Sequence, residues 1–174
     1  MDNTDKKILE ILQAAARVTN VQLAQEVALS PPAVLERVKK LEEKGVIRKY
    51  VTLLDEKRVG RGTQAFVAIS LELHERTSIE GFTEAVAACP AILECYHLAG
   101  EEDYLLKVAV GDIGEYESFL RDTLTRIPGV RKIRTQFVLS TIKKATELSL
   151  DRLPTTEHNG NSKTKIKAKT KENQ

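Results

Sequence analysis

Thr19 to Ile47 reads "TNVQLAQEVALSPPAVLERVKKLEEKGVI". Thr19, with Gln22 three residues on, has the form of a capping box, in which hydroxyl and amide each satisfy a backbone N–H left over at a helix start. Leu23, Ala24 and Val27 then share one face, so the spacing predicts a helix running to about Val27. Ala28-Leu29-Ser30 interrupts it. Pro31 and Pro32 suit the first positions of another helix, where a missing N–H costs little and φ is already near helical, and Ser30 is its cap. Val34, Val38 and Leu41 lie on one stripe of this second helix, and Gly45 ends it. Two helices joined by so short a turn are the pattern of a helix-turn-helix unit.

Upstream, Asp2 and Asn3 are candidate caps for a preceding helix whose Ile8, Ile11, Leu12 and Ala15 recur at spacings of three and four. Downstream, "VIRKYVTLLD" (46–55) alternates like a strand and "EKRVGRG" reads as a connection. Three helices plus a strand make a winged helix-turn-helix domain over 1–50, with 51–63 as a strand-containing linker.

From Gln64 the period becomes extended: Val67, Ile69, Leu71 and Leu73 alternate. Ile79, Phe82 and Val86 form a helical stripe. "ILECYHLAG" and "DYLLKVAVGD" are strands around a turn, Tyr116, Phe119, Leu120, Leu124 and Ile127 form another helical stripe, and Ile133, Thr135, Phe137 and Leu139 share one side of a last strand. Pro90 and Pro128 each separate a helix from the strand that follows. The order βαββαβ over 64–153 predicts a ferredoxin-like antiparallel sheet with both helices on one face, so the whole is an α+β protein. The other sheet face lacks a cover, which predicts a partner subunit.

The chain has 174 residues, 41% hydrophobic and 30% charged, which is the composition of a folded soluble protein. No apolar run approaches the roughly 20 residues of a membrane span, and "MDNTDKK" does not resemble a secretory signal, so a cytoplasmic location is expected. Cys89 and Cys95 with three histidines offer no metal-ligand pattern and are expected to be buried, inert thiols; no cofactor is expected either. Residues 1–60 carry a net +2, residues 61–156 a net −3 and residues 157–174 a net +3. That division permits an anionic polymer as partner of the N-terminal segment. The basic tail, 154–174, is too polar to pack and is expected to be disordered; its alternating lysines serve solubility or add nonspecific phosphate attraction.

In the second half, "AGEEDYLLKVAVGD", "PGV" and "TQFVLS" follow "LAQEVALS", Arg37-Val38, Leu41-Glu42, Gly45-Val46-Ile47, Tyr50, Asp55 and Gly60 in order. Together they resemble the Lrp/AsnC family of bacterial and archaeal feast/famine regulators over about 150 residues. The resemblance implies a transcriptional regulator whose C-terminal RAM domain, ACT-like in topology, dimerises through its sheet, assembles into rings such as octamers and binds amino acids near a "GxxDY" loop. Three positions depart from the family pattern: Ala28 stands where Gly is usual, "QAAAR" where a Gly often precedes the arginine, and Ala99 where Thr is common. The first places a side chain where positive φ would favour glycine.

At 100° per residue, Arg37, Lys40 and Lys44 fall at about 300°, 240° and 280° from Val34 and make one ridge, while Glu36 and Glu43 lie near 200° and 180° with Lys39 near 140°. Glu36–Lys40 and Lys39–Glu43 are also i,i+4 pairs. The DNA-binding candidates are therefore Ser30, Pro32, Ala33, Glu36, Arg37, Lys39, Lys40 and Lys44. Ser30 and Ala33 are placed closest to duplex DNA, Glu36 to accept from cytosine N4, and the basic groups to meet phosphates or guanine, with Arg37 alternatively bracing the helices. The effector candidates are Gly100, Glu101, Glu102, Asp103 and Tyr104, with Thr135 and Gln136 on the last strand: backbone N–H groups for an amino acid's carboxylate, Asp103 or Glu102 for its ammonium. Two other functions share this architecture. A decarboxylase of the sirohaem type would need His and Arg around a tetrapyrrole, whereas His74, His97 and His158 are scattered and no catalytic pair is evident. An effector-binding oligomer that no longer reads DNA would have the same sequence pattern with an inert third helix.

Overall fold

The computed structural model describes residues 1–72 and 76–151, with the backbone alone at 76 and 77. Leu73, His74 and the tail from 154 onward, including His158, lie outside the described residues. Two compact units are present, one made of 1–51 with 145–151 and the other of 52–144.

In the first unit, α1 (Asn3–Ala14), α2 (Asn20–Glu26) and α3 (Pro31–Glu43) enclose Ile8, Leu9, Leu23, Ala24, Val34, Val38 and Leu41. Each start follows from local chemistry. Asp2 and Asp5 form a capping box on α1, Thr19 and Gln22 one on α2, and the Ser30 hydroxyl accepts from Ala33 N with Pro31 and Pro32 opening α3. Both α2 and α3 end in the same motif. Leu29 N donates to Ala24 O and Ala28 N to Gln25 O after α2, and Val46 N to Leu41 O and Gly45 N to Glu42 O after α3. The residue that must turn left-handed is Gly45 in one (φ +68°) and Ala28 in the other (φ +54°). A Cβ at that φ is unfavourable, so Ala28 carries strain at the turn between the two helices.

The expected strand over 46–55 does not form: this segment makes no ladder among the described residues. A strand exists by pairing, and the described residues of the first unit include no second strand to receive it. Within the span 64–153 expected for the second domain, residues 145–151 make contacts in the first unit. Leu148 N donates to Gln13 Oε1 (2.7 Å), Gln13 Nε2 donates to Leu148 O (3.2 Å), Lys6 pairs with Asp151 (3.0 Å), and Leu150 joins the helical core.

The second unit is the antiparallel sheet β2-β3-β1-β4, built from β1 (Thr63–Leu71), β2 (Ile92–His97), β3 (Tyr104–Val110) and β4 (Val130–Phe137). The helices α4 (Arg76–Ala88) and α5 (Ile113–Asp122) supply the other layer. Register partners Ala65↔Val108, Val67↔Leu106 and Ile69↔Tyr104 put those six residues under Phe82, Val86, Tyr116 and Phe119. The last helical stripe is divided: α5 stops at Asp122, and Leu124 and Ile127 are placed by a short 3₁₀ turn, Leu124–Arg126. On the opposite face Phe66, Leu93 and Tyr96 stand exposed, so the sheet is uncovered there as its alternation predicts. Cys95, expected buried, is exposed on edge strand β2; partial desolvation still raises its thiol pKa, which disfavours the reactive thiolate.

Candidate nucleic-acid interface and ligand loop

Val34, Val38 and Leu41 bury the inner stripe of α3, which turns Pro32, Glu36, Lys39, Lys40 and Glu43 to solvent. This outer face is electrically balanced. Lys40 Nζ lies 2.6 Å from Glu36 Oε1 and Lys39 Nζ 3.7 Å from Glu43 Oε1, the two one-turn pairs read from the sequence. The Lys40 partnership lowers the pKa of Glu36, first through the hydrogen bond and then through charge. Lys44 has no ion pair among the described residues, and Ser30 spends its hydroxyl oxygen on the helix start.

Arg37 does not extend the ridge outward. Its Nη1 donates to Asp2 Oδ2 and to Asp5 Oδ1, both at 2.7 Å, so it braces α3 against the first turn of α1. Asp2 and Asp5 hold the guanidinium pKa above its ordinary value. Beside the brace, Met1, Asp5, Ala33, Glu36, Lys40 and Lys44 line a cleft of about 310 Å³. Of the predicted basic ridge, then, Lys40 and Lys44 keep their outward role and Arg37 takes the alternative one.

In the second unit the loop between β2 and β3 is closed by Leu98 N to Asp103 O (2.8 Å) and tied to β1 by Asp103 N to Ile69 O (2.9 Å). The Asp103 carboxylate accepts from Leu71 N at 2.7 Å, which holds it at the end of β1. Glu101 pairs with Lys132, and Glu102 with Arg134. Lys132 and Arg134 are the register partners of Ser70 and Ala68, so the loop crosses β1 on the uncovered face. That crossing accounts for Ser70, the buried polar side chain of the sheet. Glu102 Oε1 is enclosed and is the oxygen that pairs with Arg134. The N–H groups of Gly100, Glu101 and Glu102 donate no hydrogen bond among the described residues.

Both halves of the chain match known domains. Residues 1–48 match a winged helix-turn-helix DNA-binding domain, and residues 64–148 match the Lrp/AsnC ligand binding domain. The chain belongs to the Lrp/AsnC family. Among Lrp/AsnC relatives, the transcriptional regulator AzlB of Bacillus subtilis is 37% identical over 153 residues, covering 88% of this chain and 98% of that protein. The leucine-responsive regulatory protein of Escherichia coli is 38% identical over 148 residues, covering 85% and 90%. A solved structure of a Neisseria meningitidis transcriptional regulator in complex with L-Met is 41% identical with a TM-score of 0.84, covering 88% of this chain and 99% of that one. An AsnC family regulator from Agrobacterium tumefaciens is 38% identical with a TM-score of 0.83 and the same coverage. This Lrp/AsnC protein is accordingly a DNA-binding transcriptional regulator, and the family assignment decides against the decarboxylase reading.

The geometry sorts the sequence candidates of this Lrp/AsnC chain. Gly100, Glu101, Glu102 and Asp103 lie together in the loop, tied to Lys132 and Arg134, and Gln136, opposite Phe66, shares the uncovered sheet face farther along β4. Tyr104 and Thr135 do not: Tyr104 is a core ring stacked on His97 (5.0 Å) and tilted against Phe82 (4.6 Å), and Thr135 shares a hydrogen bond with Tyr116 beneath the helices. Lys132 and Arg134 were missed. Their signal was available, since two basic residues at alternate positions face the same way as an acidic loop two strands distant.

Proposed function

We propose that this regulator reads duplex DNA through α3 of several copies at once, the copies held together by the uncovered sheet face, and that an amino acid bound at the 98–104 loop modulates it. The observation that carries the reading is the charge balance of α3. With Arg37 committed to Asp2 and Asp5, and Lys39 and Lys40 each facing a glutamate, one domain has few free cations to offer phosphates. Binding by a single copy is weak, and linked copies supply the affinity through effective concentration. Exposed Phe66, Leu93 and Tyr96 support a homodimer through the sheet, from which a larger homo-oligomer, an octamer on the family pattern, would be built.

In this reading Ser30, Pro32, Ala33, Glu36, Lys39, Lys40 and Lys44 approach the groove and its flanking phosphates, and Arg37 positions α3 from behind. At the loop, the N–H groups of Gly100, Glu101 and Glu102 take the ligand's carboxylate, and its ammonium competes with Arg134 for the Glu102 carboxylate, with Gln136 on the same sheet face. The L-Met bound by the Neisseria relative supports an amino acid as the class of ligand. A cytoplasmic location accompanies the function. Footprinting on a promoter fragment recovered by selection from genomic DNA tests the arrangement. Protected half-sites should be spaced by multiples of about 10 base pairs, the helical repeat, and protection should shift when amino acids are added. Protection without regular spacing would refute reading by linked copies.

A further inference from the structure

Most basic side chains of the first unit are spent on its own structure. Lys6 is held by Asp151, Lys7 by the Glu26 carbonyl, Arg37 by Asp2 and Asp5, Lys39 by Glu43 and Lys40 by Glu36. Arg17, Lys44, Arg48 and Lys49 are left exposed, with no ion pair among the described residues. All but Arg17 follow the recognition helix. Lys44 is the C-cap of α3, and Arg48 and Lys49 lie in the loop that leaves it. That loop is pinned at both ends. Gly45 N donates to Glu42 O, Val46 N and Ile47 N both donate to Leu41 O, and the Ile47 side chain packs against the helical core. The Tyr50 hydroxyl then donates to Glu42 Oε1 at 2.9 Å, which returns the chain to the last turn of α3. Arg48 and Lys49 stand between the two pins and are thereby displayed beside the end of the helix.

We propose that Lys44, Arg48 and Lys49 form a phosphate-binding arm of the DNA-binding unit, and that the Tyr50–Glu42 bond is the latch that holds the arm against α3. Length supports this. At about 1.5 Å per residue the 13-residue α3 is about 20 Å long, against a major groove about 12 Å wide, so a helix whose N-terminal half meets base edges brings its C-terminal end to the phosphates at the rim. Charge supports it as well. The C-terminal end of a helix carries a partial negative charge that repels a phosphate, and the cations gathered there reverse the sign. Lys44, Arg48 and Lys49 also have no carboxylate partner that a phosphate must displace, unlike Lys39 and Lys40. Sequence reading then falls to the first half of α3 and general attraction to the arm beyond its end. Tyr50 is a positioning residue, acting through Arg48 and Lys49 by fixing where they stand.

The arm rests on DNA reading by the first unit, and the test separates the two. Fluorescence anisotropy of the full chain on a duplex of about 30 base pairs is repeated across salt concentrations. The parent is compared with the triple variant Lys44→Gln, Arg48→Gln, Lys49→Gln, with Arg17→Gln and with Tyr50→Phe, and circular dichroism checks that each stays folded. The triple variant should reduce the slope of log K against log salt by about 2–3 per bound unit, at roughly 0.9 per phosphate contact, and weaken binding at least about tenfold. Arg17→Gln, which removes an equally free cation from the turn between α1 and α2, should change the slope by less than about 0.5. Tyr50→Phe should weaken binding severalfold in the parent and leave the triple variant unaffected, because its effect runs through the arm; a general loss of structure would weaken both alike. An unchanged slope in the triple variant, or a loss per charge no greater than that of Arg17→Gln, overturns the arm. A Tyr50→Phe effect that is absent, or equal in both backgrounds, overturns the latch. If the parent binds no duplex DNA at any salt, the DNA-reading function falls and the arm with it.

Discussion

Replacing Arg37 by Gln decides whether this arginine is a brace or a DNA contact, because the two roles predict opposite readouts. In the structure its guanidinium makes two 2.7 Å bonds, to Asp2, whose side chain is 49% exposed, and to Asp5, at 17%. An exposed ion pair contributes at most about 1 kcal/mol, while a charge-assisted bond to a partly buried carboxylate contributes more. Discounted for solvent, the pair of bonds is worth about 1–1.5 kcal/mol. For a unit of fewer than 100 residues that corresponds to a fall in Tm of about 5–10 °C. Acid should shrink the difference. The Asp2 carboxyl is held below its ordinary value by the Asp5 N–H first and by Arg37 after it, so its contribution is present above about pH 4 and is lost as pH falls through the depressed value. Scanning calorimetry at pH 7 and pH 3, with Asp5→Asn and the double variant closing a cycle, measures the coupling. Salt-dependent DNA binding by the same Arg37→Gln protein should keep its slope. A stable Arg37→Gln variant whose slope drops by about 0.9 per subunit would refute the brace and restore Arg37 to the phosphate backbone.

Other outcomes are expected from the same geometry. Ala28→Gly should raise stability by up to about 1 kcal/mol in urea unfolding, since relief of the left-handed alanine exceeds the added freedom of the unfolded chain. Asp103→Asn should lower stability by about 1–3 kcal/mol by weakening the bond from Leu71 N, so any loss of ligand heat in calorimetry will be accompanied by a lower Tm rather than isolated from it. The Tyr50 hydroxyl, pushed up to about 12 by burial and by Glu42, should titrate late in ultraviolet spectra. Its folded pKa being raised, that stability is intact below about pH 10 and fades as pH climbs toward 12; Glu42→Gln should bring the transition down.

The parts of the fold legible in the sequence were those set within a few residues. Asp2, Thr19 and Ser30 as caps, the Pro31-Pro32 start, the Gly45 stop and the alternation of Val67, Ile69 and Leu71 each depend on near neighbours, and each stands where its spacing puts it. The segment 46–55 misled because alternation gives a strand its faces but not its partner. Residues 145–151 carried no signal because their fastening depends on Gln13, some 135 positions away in the chain. Arg37 showed both roles in its helical angle, and only the approach of Asp2 and Asp5 chose between them. At the loop proposed for the ligand, Gly100 to Asp103 lie together as the sequence grouped them, but Thr135 does not join them; adjacent strand residues face opposite ways, and Gln136 is the one that shares the loop's side.

On the proposed arrangement, the Glu36–Lys40 pair makes α3 a helix that changes partners in order to dock. When a phosphate takes Lys40, Glu36 is left facing the groove, and on the proposed arrangement a cytosine N4 amino group is the donor that relieves it. At any site without such a donor the carboxylate is stranded against the negative potential of the duplex. The pair thereby weakens every encounter and weakens mismatched encounters most, so that the two charges, cancelling in free solution, act together as a proofreader of the sequence beneath them.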